Sequence, residues 1–292
     1  MIKYISKIIY FFLKIINLIF KKIFNRNILG WIKFFIEQDA YKKVQLKSGK
    51  ELVFFSPNFL IDMLIRDFHI KEPETLEWID NFKKKEKITF WDIGSNIGLY
   101  SIYAAVNFEN IEVVSFEPST SNLRILSRNI SINNLENKIK IFQIPLGTYE
   151  NQFLEFNERK FNEGESHNSL DKNIDFEGKK IDPINKYKIF STNIDKIIED
   201  KILEIPDYIK IDVDGIEHLI LEGADKYLNS DKLKSISVEL NEDFIDQKIR
   251  VQKILLDNNF LFASKNKSED NPDSKNTSIY NYIFQKKIEN FK

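Results

Sequence analysis

The sequence predicts an α/β fold with a mostly parallel sheet, closed by a C-terminal antiparallel hairpin and preceded by an amphipathic N-terminal helix. Three observations carry that expectation. From residue 88 onward short apolar runs alternate with helix-length amphipathic stretches, the rhythm of parallel strands joined by helical crossovers. The last two apolar runs, FLFAS and SIYNYIFQ, have only the polar stretch KNKSEDNPDSKNT between them and read as an antiparallel pair. The first segment, MIKYISKIIYFFLKIINLIFKKIFN, is apolar yet interrupted by lysines at helical spacing.

Wound at about 100° per residue, Lys3, Ser6, Lys7, Lys14, Asn17, Lys21, Lys22 and Asn25 fall within an arc of roughly 160°, leaving Ile, Leu, Phe and Tyr opposite. No uninterrupted run of about 20 apolar residues exists to cross a bilayer. The segment ends in KKIFNRN, not in the small residues of a signal cleavage site. Residues 1–25 are therefore expected to contact a membrane surface, apolar side inward and lysines on lipid phosphates; the alternative is docking of the same side on protein. Residues 1–42 make up this helical extension. Residues 43–87 are a lead-in. There VQLKSGKELVFF (44–55) flanks Ser48-Gly49-Lys50 as a hairpin would and is expected to form a lid or an edge. Pro73 opens the helix PETLEWIDNF with acidic residues near its positive end. KKKEK (83–87) reads as a solvated link.

The main domain is placed at 88–292. Its strands are ITFWDIG, IEVVSFE, IKIFQIP, YIKIDVD and SISVEL, with helices expected over about 97–107, 119–134, 216–228 and 242–258, and another opening near Asp195. Residues 150–190 break the rhythm and read as a polar, irregular insertion able to cover a site. There are no internal repeats.

Composition narrows the chemistry. Lys and Arg number 43 against 44 Asp and Glu, so the chain lacks the charge signature of a nucleic-acid binder. It has no cysteine, which removes disulfides, thiolate metal sites and cysteine nucleophiles and fits a reducing cytoplasm. Its three histidines, His69, His167 and His218, are not spaced as a metal cluster, and carboxylates are left to carry acid–base work. His167, Asn168 and Ser169 sit in the insertion within reach of a ligand, whereas His218 is expected at the surface.

The sharpest signal is FWDIGSNIG, where Asp92, Gly94, Ser95, Asn96 and Gly98 span the end of an apolar strand and the start of a helix. Gly94 permits a tight turn and close backbone approach, and a helix N-terminus attracts a carboxylate. With an acid beside it, such a junction suits a ligand bearing both an ammonium and a carboxylate. Glu117, followed by Pro118 in SFEPS, ends the next strand, where an acid commonly accepts hydrogen bonds from ribose hydroxyls. A nicotinamide dinucleotide is the obvious rival, but no G-x-G-x-x-G follows ITFWD to cradle a pyrophosphate.

FWDIGSNIGLYS, VVSFEPS with LSRNISINN, and YIKIDVDGIEHLILEGA, in that order, resemble the FkbM-type methyltransferase family over roughly residues 43–245. The resemblance implies a Rossmann-like, seven-stranded class I methyltransferase sheet, S-adenosylmethionine as cofactor, and O-methylation. The chain departs from the family's usual pattern with Ser95 for alanine, Asp214 for glutamate and Asn193-Ile194-Asp195 for Thr-Leu-Asp. None of these removes a cofactor contact, but Asp214 shortens a carboxylate near the chemistry.

In YIKIDVD, Lys210 and Asp212 fall on the same face of a central strand, and a buried lysine needs a partner: Asp212, or Glu239 at the end of SISVEL. Ligands of open α/β sheets gather at the carboxyl ends of strands, so Asp212, Asp214 and Glu239 are expected to make an acidic cleft with Lys210. A structural ion-pair network of Lys210, Asp212 and Glu217 is the competing reading. These acids have the chemistry for a hard cation, but no metal is assigned. Asn129 and Asn133, four apart, are expected to tie their helix to neighbouring loops. The expected activity is transfer of a methyl group to a hydroxyl of a small molecule or glycan, in the cytoplasm or peripheral to the inner face of a membrane, with no nucleic-acid partner. The alternatives are a cofactor-binding interaction module without catalysis and an N-methyltransferase, although no Asn-Pro-Pro-Tyr motif follows the fourth strand.

Overall fold

The computed structural model describes residues 1–83, 87–166, 168–171, 182–267 and 278–287. The expectations for the 83–87 link, for His167 and for the polar loop before the last strand fall wholly or largely outside them.

Helix α1 (Ile2–Phe24) ends at Asn25, whose left-handed backbone (φ 52°) turns the chain out of the helix. Helix α2 (Ile28–Gln38) follows, capped by the Asn27 side chain, which accepts from Leu29 N. Among the described residues no helix is long and apolar enough to cross a membrane. Strands β1 (Tyr41–Gln45) and β2 (Glu51–Phe55) form the expected hairpin around Gly49, but as a separate two-stranded sheet, not as an edge of the main one. Two short helices that the sequence did not announce come next, α3 (Phe59–Arg66), capped by Asn58, and α4 (Phe68–Lys71). Helix α5 (Pro73–Asp80) then starts on Pro73 as expected.

The alternating region runs β3 (Ile88–Ile93), α6 (Leu99–Asn107), β4 (Ile111–Phe116), α7 (Thr120–Ile132) and β5 (Ile139–Phe142). The insertion is not irregular. It folds into β6 (Gln152–Glu158), β7 (Ser169–Leu170) and β8 (Asn185–Ser191), an antiparallel sheet in the order β7-β6-β8. Polar side chains interrupt both long strands, β8 alternating exposed with half-buried positions, so composition hides them, and β6 meets β8 only across a long excursion. Then come α8 (Ile194–Glu199), β9 (Tyr208–Ile211), α9 (Glu217–Glu222), β10 (Ser235–Asn241), α10 (Ile245–Asp257), β11 (Phe260–Lys267) and β12 (Ile279–Lys286). Helix α9 ends earlier than expected, at Gly223, where the chain passes close to a neighbouring loop and an added Cβ would lie 2.1 Å from the Gly147 carbonyl oxygen.

The main sheet has seven strands in the order β11-β12-β10-β9-β3-β4-β5. β10, β9, β3, β4 and β5 are parallel, and β12 runs antiparallel to both β10 and β11. Every residue of β3 is buried because both sheet faces are covered. Ile88 and Phe90 face one core with α5, α6, α7 and the β1–β2 hairpin. Trp91 and Ile93 face the other, under α8, α9 and α10. This is the Rossmann-like, seven-stranded arrangement that the motif resemblance implies, and it brings the carboxyl ends of β3, β4, β9 and β10 together.

Candidate active site

Those strand ends open into a cavity of about 1140 Å³. Its first wall is the β3–α6 junction. Gly94 and Ser95 both donate from their backbone nitrogens to Phe116 O at 3.0 Å, which folds the junction over the end of β4. Gly94 holds φ 86°, and a Cβ there would lie 1.8 Å from the Asp212 carbonyl oxygen, so only glycine fits against β9. Gly98, at φ 87°, faces Leu126 of α7, away from the cavity. Glu117 receives Asn96 N on Oε2 and Ser119 N on Oε1, each at 2.8 Å. Burial pushes its carboxyl up to about 8 against those two donors. Pro118 lines the cavity beside it. Asp92 lies behind the wall: its Oδ2 accepts from Ser101 Oγ, which also meets Ser115 Oγ at 2.7 Å. Burial raises its carboxyl, with the Lys210 charge opposing, and its Oδ1 is buried with no hydrogen-bond partner among the described residues.

The floor is built at the ends of β9 and β10. Lys210 is 2% exposed and donates from Nζ to Asp212 Oδ2 at 2.7 Å, with the Tyr100 ring 4.9 Å from the ammonium. Burial alone would depress this ammonium, but the Asp212, Glu72 and Asp92 carboxylates outweigh it and raise Lys210. Burial likewise opposes ionisation of Asp212, yet Lys210 and Lys71 hold it below the usual carboxylate range. The register sets Ser237 beside Lys210, which carries Glu239 to the level of Asp212. Oxygen atoms of Glu72, Asp212 and Glu239 lie within 4.8 Å of one another, a spacing a cation can bridge. Asp214 stands apart from that trio. It sits at φ 62° in the turn after β9, on the side of Glu117 and Glu217. Glu217 ties this turn down, accepting from Val213 N, Gly215 N and Gln247 Nε2, and burial lifts its carboxyl to about 7.

The insertion sheet supplies the opposite wall. Glu158 of β6 accepts from Ser119 Oγ at 2.8 Å and Asn185 Nδ2 at 2.7 Å, anchoring it to the turn after β4. The Asn122 amide bonds Gly164 N and Glu165 O like a peptide, which fastens the loop that lines the cavity. Asn168 and Ser169 also line it, and Asn168 Oδ1, Ser169 Oγ and Asn96 Oδ1 are buried without partners among the described residues.

Of the residues singled out in sequence, Gly94, Ser95, Asn96, Glu117, Pro118, Lys210, Asp212, Asp214 and Glu239 line this cavity; Asp92 and Gly98 support it from behind. Sequence reading missed Glu72 and Tyr100. Glu72 precedes α5, far upstream of the motifs, and no local pattern marks it. The expectation of an acidic cleft is corrected in part, since the acidic floor is balanced by Arg66, Lys71, Arg159, Lys160 and Lys267 in the lining. His218, expected at the surface, is buried against Phe244. Asn129 ties α7 to the β3–α6 loop, as expected, by donating to Ile97 O, and Asn129 and Asn133 also bind strand β2, through Phe55 N, Val53 N and Val53 O.

S-adenosylmethionine, which the motif resemblance implies, presents an ammonium and a carboxylate at its methionine end and a ribose diol between the sulfonium and the adenine. The cavity has a backbone surface where no Cβ is tolerated, a buried carboxylate at a strand end and several unpaired polar atoms in its walls. That donor and acceptor set fits the group.

No curated protein sequence matches the chain. Solved structures with a similar fold include a precorrin-6y C5,15-methyltransferase from Geobacter metallireducens (14% identity, TM-score 0.43, covering 74% of this chain and 87% of that one). An rRNA methylase from Streptococcus thermophilus matches at 13% identity and TM-score 0.43, covering 73% and 94%. The TrmK protein of M. capricolum, in complex with S-adenosyl-homocysteine, matches at 12% identity and TM-score 0.42, covering 72% and 67%. The Methyltransferase FkbM domain matches residues 92–268, more than half of the chain and the whole stretch from Asp92 through β11. On that match, and on a sheet whose strand ends carry its motifs, the chain belongs to the FkbM methyltransferase family and uses S-adenosylmethionine.

Proposed function

We propose that this methyltransferase acts on a hydroxyl group of a small molecule or glycan. The observation that carries the reading is the Lys210–Asp212 pair on the cavity floor, directly beside the Gly94 wall. Bound S-adenosylmethionine supplies the electrophilic methyl group. Gly94, Ser95, Asn96, Glu117 and Pro118 hold the cofactor, and Asp92 and Gly98 shape that wall from behind. A neutral hydroxyl becomes an effective nucleophile as its proton leaves, and an ionised carboxylate within hydrogen-bond reach takes it. Asp212 is the carboxylate kept ionised, by Lys210. Glu239 and Asp214 position the acceptor, and Lys210 holds Asp212 in place. The turn after β9 reads Asp-Val-Asp-Gly and carries no amide or aromatic group to orient an amine.

Asp212→Asn tests this directly. Turnover is expected to fall at least a hundredfold in a screen of hydroxylated acceptors, with cofactor affinity unchanged; unaltered turnover removes Asp212 from the mechanism. Product analysis is expected to find a methyl ether, and a methylated amine refutes the hydroxyl assignment.

A further inference from the structure

We propose that α1 and α2 form a helical hairpin that docks on the surface of an anionic lipid bilayer, with apolar side chains at the acyl boundary and lysines on the phosphates. This goes beyond methyl transfer and does not depend on it. Helix α1 is 23 residues long and none of them is buried. Ile5, Ile8, Phe12, Ile16, Ile19 and Ile23 recur along one side and are all exposed. Trp31, Phe34 and Phe35 of α2 are exposed as well, their ring centroids 5.7–6.2 Å apart. The helices touch through Leu29 N, which donates to Asn17 Oδ1 on the polar arc of α1, and so leave that apolar side uncovered. Apolar side chains exposed in this number on two adjoining helices mark an interaction site.

Charge decides the occupant. Every charged side chain before Glu37 is basic: Lys3, Lys7, Lys14, Lys21 and Lys22 of α1, then Arg26 and Lys33. The whole chain is close to neutral, so this positive charge is segregated onto the hairpin. None of the α1 lysines has an acidic partner among the described residues. A second copy or an apolar protein groove seated on the apolar side would cover the isoleucines and leave the lysines facing solvent. Anionic headgroups neutralise them while the acyl boundary takes the isoleucines and phenylalanines. Since α1 is too interrupted to span, it lies in the interface.

The test is co-sedimentation of the full chain with phosphatidylcholine vesicles, with and without one quarter phosphatidylglycerol, read together with tryptophan emission. Trp31 is 60% exposed, whereas Trp78 and Trp91 are 6% and 0% exposed, so an emission change reports α2. The chain is expected to sediment with anionic vesicles, with a blue shift, and to stay in solution with phosphatidylcholine alone. Lys7→Glu with Lys14→Glu and Lys21→Glu is expected to weaken binding about tenfold or more. Ile8→Asp with Ile16→Asp is expected to abolish it, and both variants retain cofactor binding, which shows them folded. A wild-type chain that stays in solution with anionic vesicles overturns the proposal, as does equal binding to both vesicle types. A concentration-dependent dimer whose Trp31 is already shielded without lipid also overturns it, in favour of self-docking.

Discussion

Lys210 shows how one residue organises the floor of the cavity. Its ammonium is almost wholly buried, and it is the counter-charge that lets Asp212 stay ionised beside Glu72 and Glu239. Breaking a buried ion pair from one side typically costs about 3–5 kcal/mol, because the remaining charge is left uncompensated. Lys210→Met is therefore expected to lower the melting temperature and to move the acid limb of the pH–rate profile upward. The sign follows from Asp212: its carboxyl is depressed, so wild-type turnover persists as pH falls until it passes below the ordinary carboxylate range. Loss of the ammonium removes that depression; an unshifted profile would dissociate Lys210 from the reaction. Gly94 and Gly98 make a second residue-scale test. Gly94→Ala sets a Cβ against backbone at 1.8 Å and is expected to abolish cofactor binding. Gly98→Ala meets only the flexible end of Leu126 and bears a left-handed backbone strain of about 1–2 kcal/mol, so it is expected to lose stability while still binding. Equal effects of the two substitutions would refute the close approach of the β3–α6 junction to β9.

At the scale of elements, side-chain amides join pieces that the sequence could not connect. Asn129 of α7 accepts from Phe55 N at 2.8 Å and donates to Ile97 O at 2.9 Å, tying the β1–β2 hairpin and the β3–α6 junction to one helix. Asn129→Ala leaves a buried N–H unpaired, which costs about 1–3 kcal/mol. Thermal denaturation is expected to show a drop of several degrees, and an unchanged transition would mean that the hairpin is held by apolar packing alone. The strands that end in Asp92, Glu117, Asp212 and Glu239 were legible because a doubly covered parallel strand is a near-continuous apolar run, and an acid closing it stands out. Strands β6 to β8 were not, since polar side chains interrupt the long strands and their pairing spans a long excursion. Helices α3 and α4 are too short for periodicity to register, and Glu72, between α4 and α5, reaches the floor only through tertiary packing.

For the whole molecule, two buried carboxyls set a direction for stability against pH. Burial lifts Glu117 to about 8 and Glu217 to about 7, both above the 4.5 of a free glutamate. The folded chain therefore holds protons that the unfolded chain releases, so this stabilisation is complete below the unfolded value and is lost as pH rises through about 7 to 8. The melting temperature is expected to be lower at about pH 9 than at about pH 5, with Glu217→Gln narrowing the difference. A wild-type chain no less stable at the alkaline end would show that these carboxyls ionise freely in the fold.

If the strand ends of this sheet form an S-adenosylmethionine site, calorimetric titration of the full chain with S-adenosylmethionine and S-adenosylhomocysteine reads it out, with Glu117→Ala and Asp92→Ala titrated alongside. One-to-one binding of both ligands by the wild-type chain is expected, lost in folded Glu117→Ala and weakened in Asp92→Ala, whose carboxylate supports the wall from behind. A folded wild-type chain that binds neither ligand would contradict it.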